Sequence, residues 1–231
     1  MKKSFRNFPW CHSGSRLDEF CARLFDFKRS GTYADIGSAH SRLHNNSHFL
    51  DVRLGWRGLC VELDSQYNES YVDRPKGSHE ENLYNDSFIN RKQCTYINGD
   101  ATKVDYAKTF ADLRMPPSID YLSLDVDVLD LEVAKILLPG NHRFKVVGIE
   151  HDAYLHGDKY RAPQRELFLS HGYVLTCADI FVRHPDIVDS PFEDWYLDPQ
   201  HFSKSVIDKV KSESCYPEDV IVKLGGQALW G

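Results

Sequence analysis

No stretch of the 231-residue chain approaches the ~20 consecutive apolar residues that span a bilayer, so no membrane partner is expected. Residues 1 to 10 open on Lys2 and Lys3 but lack the apolar segment of a secretory signal, which makes the cytoplasm the expected location. Basic residues number 28 against 34 acidic ones, for a formal net charge of −6, and no Lys/Arg run exceeds a pair. A nucleic-acid groove needs a basic face, so the expected partner is a small molecule and not a nucleic acid. Cys11, Cys21, Cys60, Cys94, Cys177 and Cys215 are scattered and form no C-x-x-C pair. Reduced, structural thiols are the expectation.

What is present is enough apolar residue, 42% with 13% aromatic, to bury the core of one domain. Leu17, Phe20, Cys21, Leu24 and Phe25 recur at helical spacing over 16–27. Short β-type runs follow at 32–36, 58–63, 94–97, 119–124 and 145–149, separated by helical patterns at 48–54, 130–138 and 161–171. Residues 173–177 and 179–183 add one or two strands or a closing hairpin, and 72–93 reads as a polar loop. Strands alternating with helices predict a mostly parallel sheet with helices on both faces, the Rossmann-like α/β class. The expected division is a helical segment over 1–30, the ligand-binding domain over 31–183, and a Pro-, Asp- and aromatic-rich appendage over 184–231 with a short helix near 203–211.

In such sheets ligands bind at the carboxyl ends of the strands, and Asp35, Glu62, Asp100, Asp125 and Glu150 all fall there. A bland role exists for each, since strand-end acids also cap the helix that follows. The stretch from Asp35 to Glu62 has the length of a strand, turn and helix before an acid that meets a ribose diol, whose two hydroxyls one carboxylate can accept. Gly37 lets the backbone approach a ligand, but Ser38-Ala39-His40-Ser41 replaces the rest of G-x-G-x-x-G, which disfavours a dinucleotide pyrophosphate. A cationic sulfonium ligand carries no phosphate and suits a ring of carboxylates.

Three blocks, Asp35-Ile36-Gly37, Leu54-Gly55-Trp56-Arg57-Gly58-Leu59-Cys60-Val61-Glu62 and Ile119-Asp120-Tyr121-Leu122-Ser123-Leu124-Asp125, resemble the FkbM family of S-adenosylmethionine-dependent methyltransferases. Glu132-Val133 and Gly148-Ile149-Glu150-His151 extend the likeness across roughly residues 31 to 178. The resemblance implies a seven-stranded class I methyltransferase fold with S-adenosylmethionine as cofactor. It implies that Asp35, Gly37 and Ser38 hold the methionine part with Asn46, that Glu62 binds the ribose, and that Asp100 and Ala101 flank the adenine. Asp125 faces the methionine end or the acceptor. The family's first loop has an Asn and a second Gly where this chain has Ala39 and Ser41.

Methyl transfer to a hydroxyl needs in-line approach and loss of the hydroxyl proton. Either His151 acts as the base, or a divalent cation such as Mn²⁺ or Mg²⁺ acidifies the hydroxyl, with Asp125, Glu150 and His151 as tentative ligands. The leading activity is O-methylation of a sugar or other polyhydroxylated small molecule. Asp125-Val126-Asp127 is a D-x-D, so a metal-dependent glycosyltransferase is the rival enzyme class, and a cofactor-binding protein without turnover is the rival outside enzymes. His44 and His48 are expected on a solvated face. Trp195, Tyr196 and Phe202 are read as packing the tail onto the core in preference to forming an acceptor lid.

Overall fold

The computed structural model describes residues 13–67, 91, 93–184 and 187–225. The polar loop read at 72–93 lies outside the described residues apart from Arg91 and Gln93.

In chain order the elements are α1 (Leu17–Leu24), β1 (Thr32–Ile36), α2 (His48–Leu54), β2 (Arg57–Glu62), β3 (Cys94–Asn98), α3 (Tyr106–Asp112), β4 (Ser118–Leu124), α4 (Asp130–Leu137) and β5 (Arg143–Glu150). They are followed by α5 (Ala153–His156), α6 (Asp158–Ser170), β6 (Val174–His184), β7 (Ile187–Leu197), α7 (Lys204–Val210), β8 (Ser212–Cys215) and α8 (Pro217–Ile221). The sheet order is β3-β2-β1-β4-β5-β7-β6-β8. Pairing is parallel from β3 through β5 and between β6 and β8, whereas β7 runs antiparallel to both β5 and β6.

The period-2 alternation of a strand sorts side chains onto two faces, and each face carries its own core. Tyr33, Cys60, Tyr121, Val146 and Trp195 join Leu17 and Phe20 of α1, Leu50 of α2, and Ile207, Val210 and Val220 of the C-terminal helices. Ala34, Leu59, Leu122, Val147 and Tyr196 join Phe110 of α3, Val133 and Leu137 of α4, and Phe168 of α6. The Rossmann-like architecture with helices on both faces is therefore present, with two departures from expectation.

The sheet has eight strands, not seven, because Ser212–Cys215 adds a parallel edge strand beside β6. More consequentially, the described residues of 184–231 form no appendage: β7 sits between β5 and β6 inside the sheet. The physical reason lies in how its acids are compensated. Asp194, fully buried, takes Arg165 Nε at 2.7 Å, and Asp198, also buried, takes Arg143 Nε at 2.7 Å. Charges that read as solvated tail are thus paired inside, as buried charges must be. The N-terminal segment is integral as well: Leu17 packs so closely on β5 that a Cβ on Gly148 would lie 2.0 Å from its Cδ2. Trp195 and Tyr196 are fully buried, with the Trp195 ring 4.5 Å from Phe20, and Phe202 packs on Phe25, so these aromatics tie tail to core. Among the described cysteines Cys21, Cys60, Cys94, Cys177 and Cys215 are free thiols.

Candidate active site

The loop leaving β1 is laid across the ends of its two neighbours. Gly37 and Ser38 N–H both donate to Val61 O, at 2.9 and 3.1 Å, and Asp125 N–H donates to Ile36 O at 2.9 Å. Gly37 has φ +81°, and a Cβ there would stand 1.6 Å from Asp125 O. Only glycine lets the β1 and β4 ends approach this closely in that conformation. Asp35, Gly37, Ser38 and Asp125 are thereby brought together at the carboxyl edge.

Asp35 is fully buried, and its Oδ2 accepts the Ser47 hydroxyl at 2.7 Å. Its Oδ1, equally inaccessible, accepts no hydrogen bond. Burial pushes the carboxyl up to about 6 against the opposing pull of Ser47 and Arg91, and the nearby Asp125 and Glu62 add to the rise. Asn46 closes the same corner, its Nδ2 donating to Ser123 Oγ at 2.9 Å.

Glu62 is half-buried at the end of β2. Its Oε2 accepts Ala39 N–H at 2.7 Å and its Oε1 accepts Asp64 N–H at 2.8 Å, which fixes the carboxylate and leaves lone pairs for further donors. β3 continues the row: Gly99 N–H donates to Glu62 O at 2.8 Å, placing Asp100 and Ala101 beside it. Asp100 Oδ1 takes both Thr102 N–H and the Thr102 hydroxyl, so this acid caps a short 3₁₀ turn, and those bonds hold its carboxyl low. Ala101 is buried and its carbonyl accepts the Tyr106 hydroxyl at 2.9 Å.

On the other side, Asp125 and Glu150 follow the paired Leu124 and Ile149 and face each other at the ends of β4 and β5. Burial, the facing Asp125 and the nearby Asp152 push Glu150 far above the carboxylate range. Burial raises Asp125 too, partly offset by the neighbouring Glu150. Of the two, Glu150 is the one raised further from the ordinary carboxylate range, since the facing Asp125 adds to the effect of its burial.

His151 does not join Asp125 and Glu150. It follows Glu150 directly, and consecutive residues at a strand end point to opposite sides. Its Nδ1 accepts Ala153 N–H at 3.1 Å, and its Nε2 lies 3.5 Å from both Asp179 Oδ1 and Asp194 Oδ1. Among the described residues, His151, Asp179 and Asp194 are the one group of three metal-ligand types with donor atoms mutually within 4.8 Å. Those carboxylates are already engaged: Arg161 Nη1 and Arg165 Nη2 reach Asp179 Oδ1 at 2.8 and 2.9 Å, and Arg165 also grips Asp194. Burial of Asp194 is outweighed by Arg165 and His151, which hold its carboxyl at about 2. Two guanidiniums neutralise two carboxylates, so this is an ion-pair lattice locking α6 to β6 and β7 and does not fit a cation. The expected metal set of Asp125, Glu150 and His151 is not assembled.

The fold also contradicts the solvated reading of His48, which is buried at the start of α2 while His44 is exposed ahead of it. Sequence reasoning missed Asn45, Ser47, Arg91 and Glu193. Glu193 on β7 pairs in register with Glu150 and is buried, which pushes its carboxyl up to about 7 while Ser15 and Trp195 hydrogen-bond it. Its signal was hidden because β7 read as tail.

No family model matches the chain's sequence, and no curated protein does. Solved structures align with it only at low similarity. A SAM-dependent methyltransferase from Aquifex aeolicus matches at 12% identity and TM-score 0.49, covering 80% of this chain and 94% of that one. A precorrin-6y C5,15-methyltransferase from Geobacter metallireducens matches at 14% and 0.48, covering 78% and 87%. Aeropyrum pernix fibrillarin, solved with natively bound S-adenosyl-L-methionine, matches at 14% and 0.43, covering 81% and 76%. Such distant likeness says nothing of ligand or reaction. The chain's own strand order, with the one reversed strand between β5 and β6, is that of the class I methyltransferase fold extended by an edge strand.

Proposed function

We propose that this chain is an S-adenosylmethionine-dependent methyltransferase of the FkbM family that methylates a hydroxyl of a sugar or other polyhydroxylated small molecule. The observation that carries the reading is the buried Asp35 Oδ1, which has no hydrogen-bond donor at the end of the first strand. A fully buried carboxylate oxygen is costly unless a cation or donor completes it, and the ammonium of the ligand's methionine part is such a group. Gly37 lets the β1 and β4 ends close beneath the methionine part, the fixed Glu62 carboxylate accepts the ribose diol, and Asp100 with Ala101 flanks the adenine. Asp100 uses only Oδ1 in its cap, so Oδ2 can accept the adenine amino group.

The cofactor supplies an electrophilic methyl on sulfonium sulfur. The protein's part is to position the acceptor and take its proton. His151 is withdrawn from that task by its burial between Asp179 and Asp194. Asp125 is the base in this reading: it stands at the end of β4 beside Gly37, and burial raises its carboxyl above the ordinary range, which makes it a better proton acceptor. No step is assigned to a metal, since the residues proposed to hold one do not converge. A D-x-D metal site fares no better, because Asp127 sits in a left-handed turn at φ +54° and the one cluster of three metal-ligand side chains among the described residues includes neither Asp125 nor Asp127.

The test is label transfer from methyl-labelled S-adenosylmethionine to a panel of sugars, polyols and amines. Label on a hydroxyl oxygen supports the reading. Label only on amines would move the acceptor class, and absence of adenosyl-ligand binding would overturn the methyltransferase.

A further inference from the structure

The loop between β1 and α2 lacks the second glycine that would set its course, and Ala39 adopts φ +49° in it. Something else must hold it. Arg91, which precedes β3 and is 8% exposed, reaches into it from beneath. Its Nη1 donates to Ser41 O at 2.6 Å and to Asn45 Oδ1 at 2.9 Å. Its Nη2 donates to Ser47 Oγ at 2.9 Å and Tyr33 Oη at 3.2 Å, and its Nε reaches Asp51 Oδ2 at 3.2 Å. The contacts run onward in two relays. Ser47 donates to Asp35 Oδ2 at 2.7 Å, and Asn45 Nδ2 donates to Ser38 O at 2.8 Å.

We propose that Arg91 is the positioning residue of the adenosyl-ligand site, its fork fixing the 38–47 loop and, through Ser47, the orientation of the Asp35 carboxylate. This rests on the methyltransferase reading above. The planar guanidinium suits the task because it presents donors in a rigid fan to acceptors from β1, the loop and α2 at once. A lysine at the same place keeps the charge beside Asp51 but is a point donor, unable to span Ser41, Asn45 and Ser47 together. The ion pair with Asp51 is buried, with side-chain exposures of 3% and 0%, so an uncharged replacement threatens folding and the lysine does not.

The experiment is a double-mutant cycle of Arg91→Lys and Ser47→Ala, with S-adenosylhomocysteine affinity read by calorimetry and global stability by urea unfolding. Arg91→Lys is expected to weaken binding at least tenfold in a folded protein. The two changes should be non-additive in affinity, because Ser47 transmits the effect of Arg91. Faster amide exchange at Ala39 and Ser47 in ligand-free Arg91→Lys should accompany the loss. Undiminished affinity in Arg91→Lys, or additive losses, would overturn the role of Arg91 while leaving the cofactor reading intact. Wild-type protein that fails to bind S-adenosylhomocysteine would overturn the cofactor reading, and this inference with it.

Discussion

Asp35→Asn separates what the site costs from what it does. Asp35 is fully buried and its carboxyl stands at about 6, against an ordinary value of 3.8. Because the folded value is the higher one, the folded state holds the proton more tightly than the unfolded chain. Asp35 therefore favours folding most below pH 3.8, and that favour is lost as pH rises through about 6. The difference corresponds to about 3 kcal/mol of ligand-free stability forgone at pH 7. Asparagine cannot titrate, and its amide can still accept from Ser47, but it places a buried N–H where Oδ1 was, at a cost of about 1–3 kcal/mol. That cost is independent of pH. The stability of Asp35→Asn relative to wild type should thus rise by about 2–3 kcal/mol between pH 4 and pH 7, measured by urea unfolding at both. Asp51 and Glu193, whose carboxyls burial also raises, are present in both proteins and cancel. The same variant should bind S-adenosylhomocysteine ~10- to 100-fold more weakly at pH 7. A stability difference that does not change with pH would refute the account of Asp35 as a charge held at a cost to folding. Undiminished binding would refute its contact with the ligand.

Glu62→Ala should fold and lose about 1.5–3 kcal/mol of adenosyl-ligand affinity by calorimetry, while keeping its affinity for a bare methionine fragment. Gly37→Ala drives a methyl into Asp125 O, and thermal unfolding should show a loss of about 3 kcal/mol or failure to accumulate as soluble protein. His151→Ala should lower stability by about 1–3 kcal/mol through the lattice of Asp179, Asp194, Arg161 and Arg165, with ligand affinity within about twofold of wild type. Full stability with abolished transfer would instead return His151 to the role of base.

The parallel half of the sheet could be read from the sequence because each strand is an apolar run closed by an acid or a glycine. Thr32–Ile36, Arg57–Glu62 and Ser118–Leu124 all have that form. The C-terminal half could not, because β7 carries Pro191, Glu193 and Asp194, residues depleted from strands, and the buried Glu193 and Asp194 are compensated by Trp195 and Arg165. Glu150 and His151 could be placed at one strand end but not on opposite sides of it, since that depends on where the pleat ends. Arg91 carries no local signal at all. Its partners at Tyr33, Ser47 and Asp51 meet it only when β2 and β3 pair. No helix among the described residues is long and apolar enough to cross a membrane.

The central claim is that the carboxyl edge of β1 and β2 binds an adenosyl sulfonium ligand. Calorimetric titration of the purified protein with S-adenosylmethionine and S-adenosylhomocysteine, with UDP-glucose as control, tests it most directly. The account predicts micromolar binding of both adenosyl ligands and none of UDP-glucose, unchanged by EDTA. Binding of UDP-glucose without the adenosyl ligands would contradict it.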